Sequence, residues 1–547
     1  MKAIVRRAEA GGMTYALLTF IALAISISSF LYFFFSRQIL LYGDAVAHIN
    51  IARRVFDSRT PGWQQLGTVW LPLPHLLTIP FIVADRAWQS GWGGSVVSMA
   101  SFVLGVLGIA RLFWSGVLGG GMKRAGWVAA LFYGANPNLI YLQSTAMTEP
   151  LSLALYIWAL VFFAEFAMHT RATLASETLS WQREPEAHRA ARSLEKCAGM
   201  LAAGMLTRYD HWILAFVIVV SSALLFRSRA EVDLESLGIM RSGFRRFAIL
   251  ILLVPLLWLG YNFGTYGNAL EFATGPYSAR AIAQRSSSMP SYPGEQSLRV
   301  AALYYFESAK LNVAHGSWIW LILFAITVGT AALIWRKRIA LLVALWVPMG
   351  FYTFAIARLS VPIFMPVWWP FSYYNVRYGL QLLPALAVCI GITFALLLRL
   401  PLKWARPSVG IFAVLVAGAC FSAWRNVPIC LREARVNSVT RIAFENQLAS
   451  ALERLPRNSS ILMYTGNHVG ALETADIHLA RTINENNYRL WQAALAHPSL
   501  EADYIIAEQG DPVAAAVANH PEGLAAVAKI ELPGQPAAVL YRSTSKP

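Results

Sequence analysis

The sequence predicts an α-helical polytopic membrane protein of about eleven transmembrane helices, followed by a small α/β domain at the C-terminus. Three observations carry this reading. The 547 residues are 57% hydrophobic and only 14% charged, against roughly 25% charged in an ordinary soluble domain. Mean hydropathy is +0.49. The apolar runs are long and continuous rather than alternating, which selects helices over a barrel as the spanning element.

Taken in order, spans are expected near 14–35, 95–114, 126–143, 148–168, 196–207, 211–227, 245–262, 314–335, 339–357, 378–399 and 407–424. The first follows a basic start, MKAIVRR, and is too long for a signal-peptide core, so it reads as a spanning helix with a cytoplasmic N-terminus. The stretch LPLPHLLTIPFIVADRAW at 71–88 is ambiguous, because three prolines break it. Loop charge decides the matter. If 71–88 does not cross, the clusters Lys123/Arg124, Arg171 to Lys196, Arg227 to Arg246, Arg336 to Arg338 and Arg399 to Arg406 all fall on the side of Arg6 and Arg7. That is the distribution the positive-inside rule asks for, so 71–88 is assigned as re-entrant or interfacial.

This topology puts the polar segments 36–94, 263–313 and 358–377, and the junction at 144–148, on the extracytoplasmic face. The chain divides into a membrane domain, 1–425, and an extracytoplasmic α/β domain, 426–547. In the second part the apolar runs shrink to strand length (SSILMYTG, ADYIIAEQ, AKIELPG, AAVLYRS) between helical patterns such as NENNYRLWQAALAHP.

The net charge of +16 does not indicate a nucleic-acid partner. The basic residues lie in short clusters between apolar runs and form no single patch. Cys197, Cys389, Cys420 and Cys430 contain no CxxC pair, so neither a disulfide framework nor a zinc site is expected.

Five stretches carry polar residues where a membrane protein has reason to avoid them. In YGDAVAHINIARRVF, Ala45, Ile49, Ala52 and Phe56 share one helical face while Asp44 and His48 share another. Arg53 and Arg54 close the helix. Asp44 can be an N-terminal helix acid or a catalytic acid. In NPNLIYLQSTAMTEPLSL, Glu149 lies at a membrane boundary, as a first-turn acid or a functional one. LTRYDHW interrupts an apolar run with Arg208, Asp210 and His211, as a structural ion pair or a ligand group. WLGYNFGTYGNALEFATGPYSARA suggests an ordered aromatic loop, as an anchor or a surface for a flat ligand, with Glu307, Lys310 and His315 beyond it. In WWPFSYYNVRYGLQLLP, Arg377 is flanked by Tyr374 and Tyr378, as a snorkelling cation or a phosphate ligand.

An acid shortly after the first span, then NP…TEPL, then NVRYGLQLLP, resembles the GT-C glycosyltransferase superfamily. The resemblance is to the branch of polyprenyl-phosphate-mannose protein mannosyltransferases and aminoarabinose transferases, in layout over roughly residues 10–425 and in residues only at these motifs. It implies a polyprenyl-phosphate-linked sugar donor, a glycan, lipid or protein acceptor, and transfer at the extracytoplasmic face of the cell's inner (plasma) membrane. It implies Asp44 as general base or orienter of the nucleophile, Glu149 as the second acid, and Arg377 on the phosphate leaving group. Tyr378, Arg208, Arg53 and His48 are the further substrate-binding candidates. Some relatives bind a divalent metal ion through acids and a His, and His48 or His75 could serve. The chain departs from protein mannosyltransferases in having Gly43 and Ala45 around Asp44 in place of paired acids, and it carries Glu149 where Asp is usual.

A transporter or flippase of lipid-linked sugars would also need arginines near a phosphate, but with polar residues lining a path through the bilayer. Here they gather at one face. A non-catalytic scaffold gives no reason for Asp44, Glu149 and Arg377 to share a side.

Overall fold

The computed structural model describes residues 2–120, 122–175, 180–227, 233–276, 278, 281 and 291–545. Tyr277, Ala279, Arg280 and residues 282–290, part of the aromatic-rich stretch and of the 263–313 segment, lie outside the described residues.

Two long helices open and organise the bundle. Helix α1 (Lys2–Phe35) leads into a short helix α2 (Gly43–Arg54), and α3 (Trp92–Trp114) packs against α1. The expected span at 126–143 is two helices, α4 (Lys123–Gly134) and α5 (Pro137–Gln143). The break has a local cause. Pro137 starts α5, and the Asn136 side chain accepts from the backbone N–H groups of Asn138 and Leu139, capping the new helix.

Helix α6 (Glu149–Leu174) packs along α7 (Ser180–Met205), and α9 (Leu234–Tyr266) packs on α7 from the other side. The apolar run at 196–207 is therefore the end of a 26-residue helix whose first half is polar. Helix α8 (Asp210–Arg227) follows, and Asp233 caps α9. Helix α10 (Leu298–Val313) runs beside the later helix over 347–358, and α11 is Ile319–Trp335. The span at 339–357 is a bent pair, α12 (Ile339–Leu345) and α13 (Val347–Arg358), hinged by 40° just before Pro348. A 3₁₀ turn, Val376–Leu382, leads into α14 (Leu383–Leu397), and α15 (Leu402–Arg425) is followed by α16 (Ile429–Leu452).

Among the described residues, seven helices are long and apolar enough to cross a membrane, or eight if α12–α13 is one crossing. All eleven expected segments are helical; the lower number reflects the break at Asn136, the polar start of α7 and the shorter α8. The 71–88 stretch folds into helices of six and five residues around a 3₁₀ turn. At 1.5 Å per residue neither reaches a third of a bilayer core of about 30 Å.

The C-terminal sheet has the order β2-β1-β3-β5-β4, from β1 (Ile461–Met463), β2 (Thr482–Ile483), β3 (Tyr504–Glu508), β4 (Leu524–Ile530) and β5 (Ala538–Ser543). β1 pairs in parallel with β2 and β3, and β5 is antiparallel to β3 and β4. Its core reaches back into the first polar segment. Ile49 and Ala52 of α2 and Trp88 pack with Phe444, Leu448, Ile461 and Ile506. Helix α16 joins the two parts, with Ile429, Cys430 and Ala434 in the core of the bundle and Phe444 to Leu452 in the core of the sheet unit.

Candidate active site

Helix α2 is held from both sides. Its Ile49/Ala52 face is buried against the C-terminal unit, and Asp44 and His48, on the neighbouring face, line a cavity of about 1120 Å³. Glu149 and Arg208, Tyr352, Arg358, Arg377 and Tyr378 line the same cavity.

Arg377 is brought there by a tight local fold. Asn375 adopts the left-handed region at φ 56°, which Asn tolerates, and the 3₁₀ turn follows. Gly379 has no room for a Cβ, since one would lie 2.5 Å from the backbone of Ser308 and Ala309 on α10. That close approach seats the turn, and Arg377 is 5% exposed.

Its guanidinium joins three carboxylates. Nη2 donates to Asp44 Oδ2, Nε to Glu149 Oε1 at 3.2 Å, and Nη1 to Glu433 Oε1 at 3.1 Å. The rings of Tyr42 and Tyr378 each lie 5.1 Å from it. Arg208 shares Glu149 Oε1 at 3.3 Å, donates to the Tyr352 hydroxyl at 2.7 Å and sits 4.9 Å from the Tyr378 ring. Asp210 accepts from Tyr352 at 3.3 Å and lies 2.9 Å from His211 Nδ1. The acids are thus fixed by guanidiniums, with Glu149 1% exposed. Asp44 differs: its side chain is 39% exposed, and Oδ1 has no partner among the described residues.

Several groups near the cavity have displaced proton affinities, two histidines and a tyrosine among them. Burial lowers His48 to about 4, against a partial lift from Asp44 and Glu149. Burial and the neighbouring His48 hold His75 well below the usual histidine range. Both are neutral near pH 7. Burial pushes the Tyr374 hydroxyl up to about 12, so it stays a protonated donor.

Of the residues named from sequence, Asp44, Glu149, Arg377, Tyr378, Arg208 and His48 come together. Arg53 does not. It donates to Asp57 at 2.9 Å, to the carbonyls of Ile82 and Val83, and to Asp85 at 2.5 Å, with His478 Nδ1 at 3.2 Å. It ties the first polar segment to the C-terminal unit and does not line the cavity. Glu307 and Lys310 form an i,i+3 pair on α10. Glu433 and Arg358 were missed. Glu433 lies seven residues past the drawn domain boundary, and Arg358 reads in sequence as an ordinary helix-end cation.

Among the described residues, no group of three or more His, Cys, Asp or Glu is placed to hold a metal ion. Asp44 and Glu149 are bridged by Arg377, so the carboxylates as arranged do not fit a divalent ion.

No protein-family model matches the sequence, and no curated protein matches it. Solved structures do. ArnT from Cupriavidus metallidurans bound to undecaprenyl phosphate aligns with a TM-score of 0.55 at 12% identity, over 96% of this chain and 97% of that one. The archaeal oligosaccharyltransferase AglB from Archaeoglobus fulgidus, in complex with an inhibitory peptide and a dolichol-phosphate, aligns with a TM-score of 0.50 at 12% identity, over 90% of this chain and 69% of that one. At such identity the likeness establishes architecture alone: this polytopic membrane protein shares the overall fold of these two structures.

Proposed function

We propose that the protein is a glycosyltransferase that moves a sugar from a polyprenyl-phosphate donor to an acceptor at the extracytoplasmic face of the cell's inner membrane. In this reading the N-terminus is cytoplasmic and the unit spanning 426–547 is extracytoplasmic. One observation carries it. A half-exposed acid, Asp44, is held at a cavity of about 1120 Å³ by a buried arginine that also fixes Glu149. That volume exceeds an ordinary small-molecule pocket of roughly 300–1,000 Å³ and has room for a sugar phosphate beside an acceptor.

The acceptor hydroxyl gives its proton to Asp44 Oδ1 as its oxygen bonds to the anomeric carbon. The bond from that carbon to the phosphate oxygen breaks, and polyprenyl phosphate leaves with the electron pair. Arg377 has committed three of its five N–H groups to carboxylates, so it acts as a brace. Arg358 lines the cavity without a partner among the described residues, and it is the cation free to meet the phosphate. The binding energy fixes the two reactants, and the acid removes the proton.

The test is transfer from a radiolabelled polyprenyl-phosphate sugar to acceptor extracts in proteoliposomes, with mass spectrometry of lipid-linked sugars in cells with and without the protein. Product formation by the wild type and none by Asp44→Asn supports the reading. Labelled lipid that only changes leaflet, with no sugar transferred, supports a flippase instead.

A further inference from the structure

His48 and His75 are the titratable pair at the cavity that the transfer chemistry above leaves unused. His48 Nδ1 lies 2.9 Å from His75 Nε2. His75 is fully buried and His48 is 6% exposed. The Trp70 ring lies 4.8 Å from the His48 ring, tilted over it, and both His48 and Trp70 line the cavity. His75 Nδ1 is buried with no hydrogen-bond partner.

Two neutral imidazoles carry two N–H groups on four nitrogens, and one of those hydrogens makes the bond between the rings. If His48 Nδ1 donated, the second hydrogen would sit on His75 Nδ1, a donor stranded in the core. If His75 Nε2 donates, His75 Nδ1 keeps only a lone pair, and the second hydrogen sits on His48 Nε2. Orphaned buried N–H groups are the rarer defect, and the bond at one ring nitrogen sets the proton at the other. The network therefore assigns hydrogen to His48 Nε2, the nitrogen left to the cavity.

We propose that His48 presents a neutral Nε2–H donor to an oxygen of the bound glycosyl phosphate, in the tautomer that His75 imposes. This rests on the transfer reading of the same cavity. It removes His48 as a competing base beside Asp44 and makes it a binding residue. His75 is a positioning residue, acting through His48.

The tautomer is read without any transfer, by solid-state NMR of ¹⁵N-histidine protein in lipid, with His48 identified by its loss in His48→Gln. The expected pattern is a protonated Nε2 and an unprotonated Nδ1 on His48 at pH 7. A protonated Nδ1, an imidazolium, or stoichiometric zinc lost on His75→Leu overturns the proposal. Kinetics complete the test. His48→Phe raises the donor KM about tenfold or more with a smaller effect on kcat, the scale of one lost hydrogen bond to a charged group. His48→Gln and His75→Gln, whose amides can still donate, stay within about threefold, while His75→Leu behaves as His48→Phe does. Equal kinetics for the Gln and Leu variants of His75 overturn its positioning role. Absent transfer with the expected NMR pattern overturns only the enzymatic reading.

Discussion

Glu149 Oε1 accepts from Arg377 Nε at 3.2 Å while the same guanidinium also holds Asp44. A single buried side chain thus holds both Asp44 and Glu149 at the cavity. One of them is sealed and the other half open, so their roles separate. Asp44→Asn keeps an acceptor for Arg377 and removes the proton acceptor. Transfer is expected to fall by about 10²–10⁴-fold, the usual weight of a general base. Insertion and melting temperature should stay near wild type, because the side chain is 39% exposed. Radiolabel transfer and a detergent melt, run on one preparation, check both.

Arg377 itself should tolerate no replacement. A lysine ammonium is a point charge and cannot serve three carboxylates lying in different directions. Removing one partner of a buried ion pair costs about 3–5 kcal/mol, because the remaining charge is left uncompensated. Arg377→Lys and Arg377→Met are both expected to lower stability on that scale in a thermal melt. A Lys variant that melts like the wild type would show that the three contacts are not held together.

Glu433 gives a finer version of the same test. It is 1% exposed and contributes from the first turns of α16, which pack into the bundle. Glu433→Gln keeps an oxygen for Arg377 Nη1, and its expected cost is within about 1–2 kcal/mol. Glu433→Ala leaves a charged donor unmet, at about 2–3 kcal/mol. The gap between the two melts measures the contact.

The helical membrane class was legible because hydropathy reports burial in lipid directly, residue by residue. The breaks at Asn136 and Trp346 were not, since an apolar run looks alike whether one helix or two carries it. In the site, Asp44, Glu149 and Arg377 stood out as charges at membrane boundaries, where each charge needs a reason. Arg53 stood out equally, yet its reason is a clamp on Asp57, Asp85 and His478. Only the fold distinguishes a charge that faces a cavity from one consumed by neighbours. Glu433 was hidden for the converse reason: its helix reads as soluble, while its first turns are packed into the bundle.

Arg358 ends α13 and lines the cavity, exposed and without a partner among the described residues. Its loss therefore strands no buried group, and Arg358→Ala is expected to melt like the wild type. Its effect should fall on donor affinity, since a hydrogen bond to a charged group is worth about 1.5–3 kcal/mol, or roughly 10–100-fold. A donor KM raised by that factor, with kcat less affected, is the expected outcome. Raising ionic strength should weaken donor binding in the wild type more than in the variant.

The buried imidazole of His48 makes an acid-dependent prediction with a definite sign. Its proton affinity is held at about 4 in the folded protein against 6.5 when unfolded. As pH falls below 6.5 the unfolded chain takes up a proton that the folded one refuses. The stability linked to His48 is therefore complete above pH 6.5 and is lost progressively towards pH 4. Between pH 7 and pH 5 the loss is about 2 kcal/mol. His75, held low in the same way, adds to it. Asp511 acts in the opposite direction, since burial raises its carboxyl to about 6. Comparing wild type with His48→Gln cancels Asp511, which both share. The variant should lose less stability on going from pH 7 to pH 5, read as the difference between two pairs of detergent melts. Equal losses would mean that His48 is solvated and titrates as an ordinary histidine, which the packing of Trp70 and His75 around it does not allow.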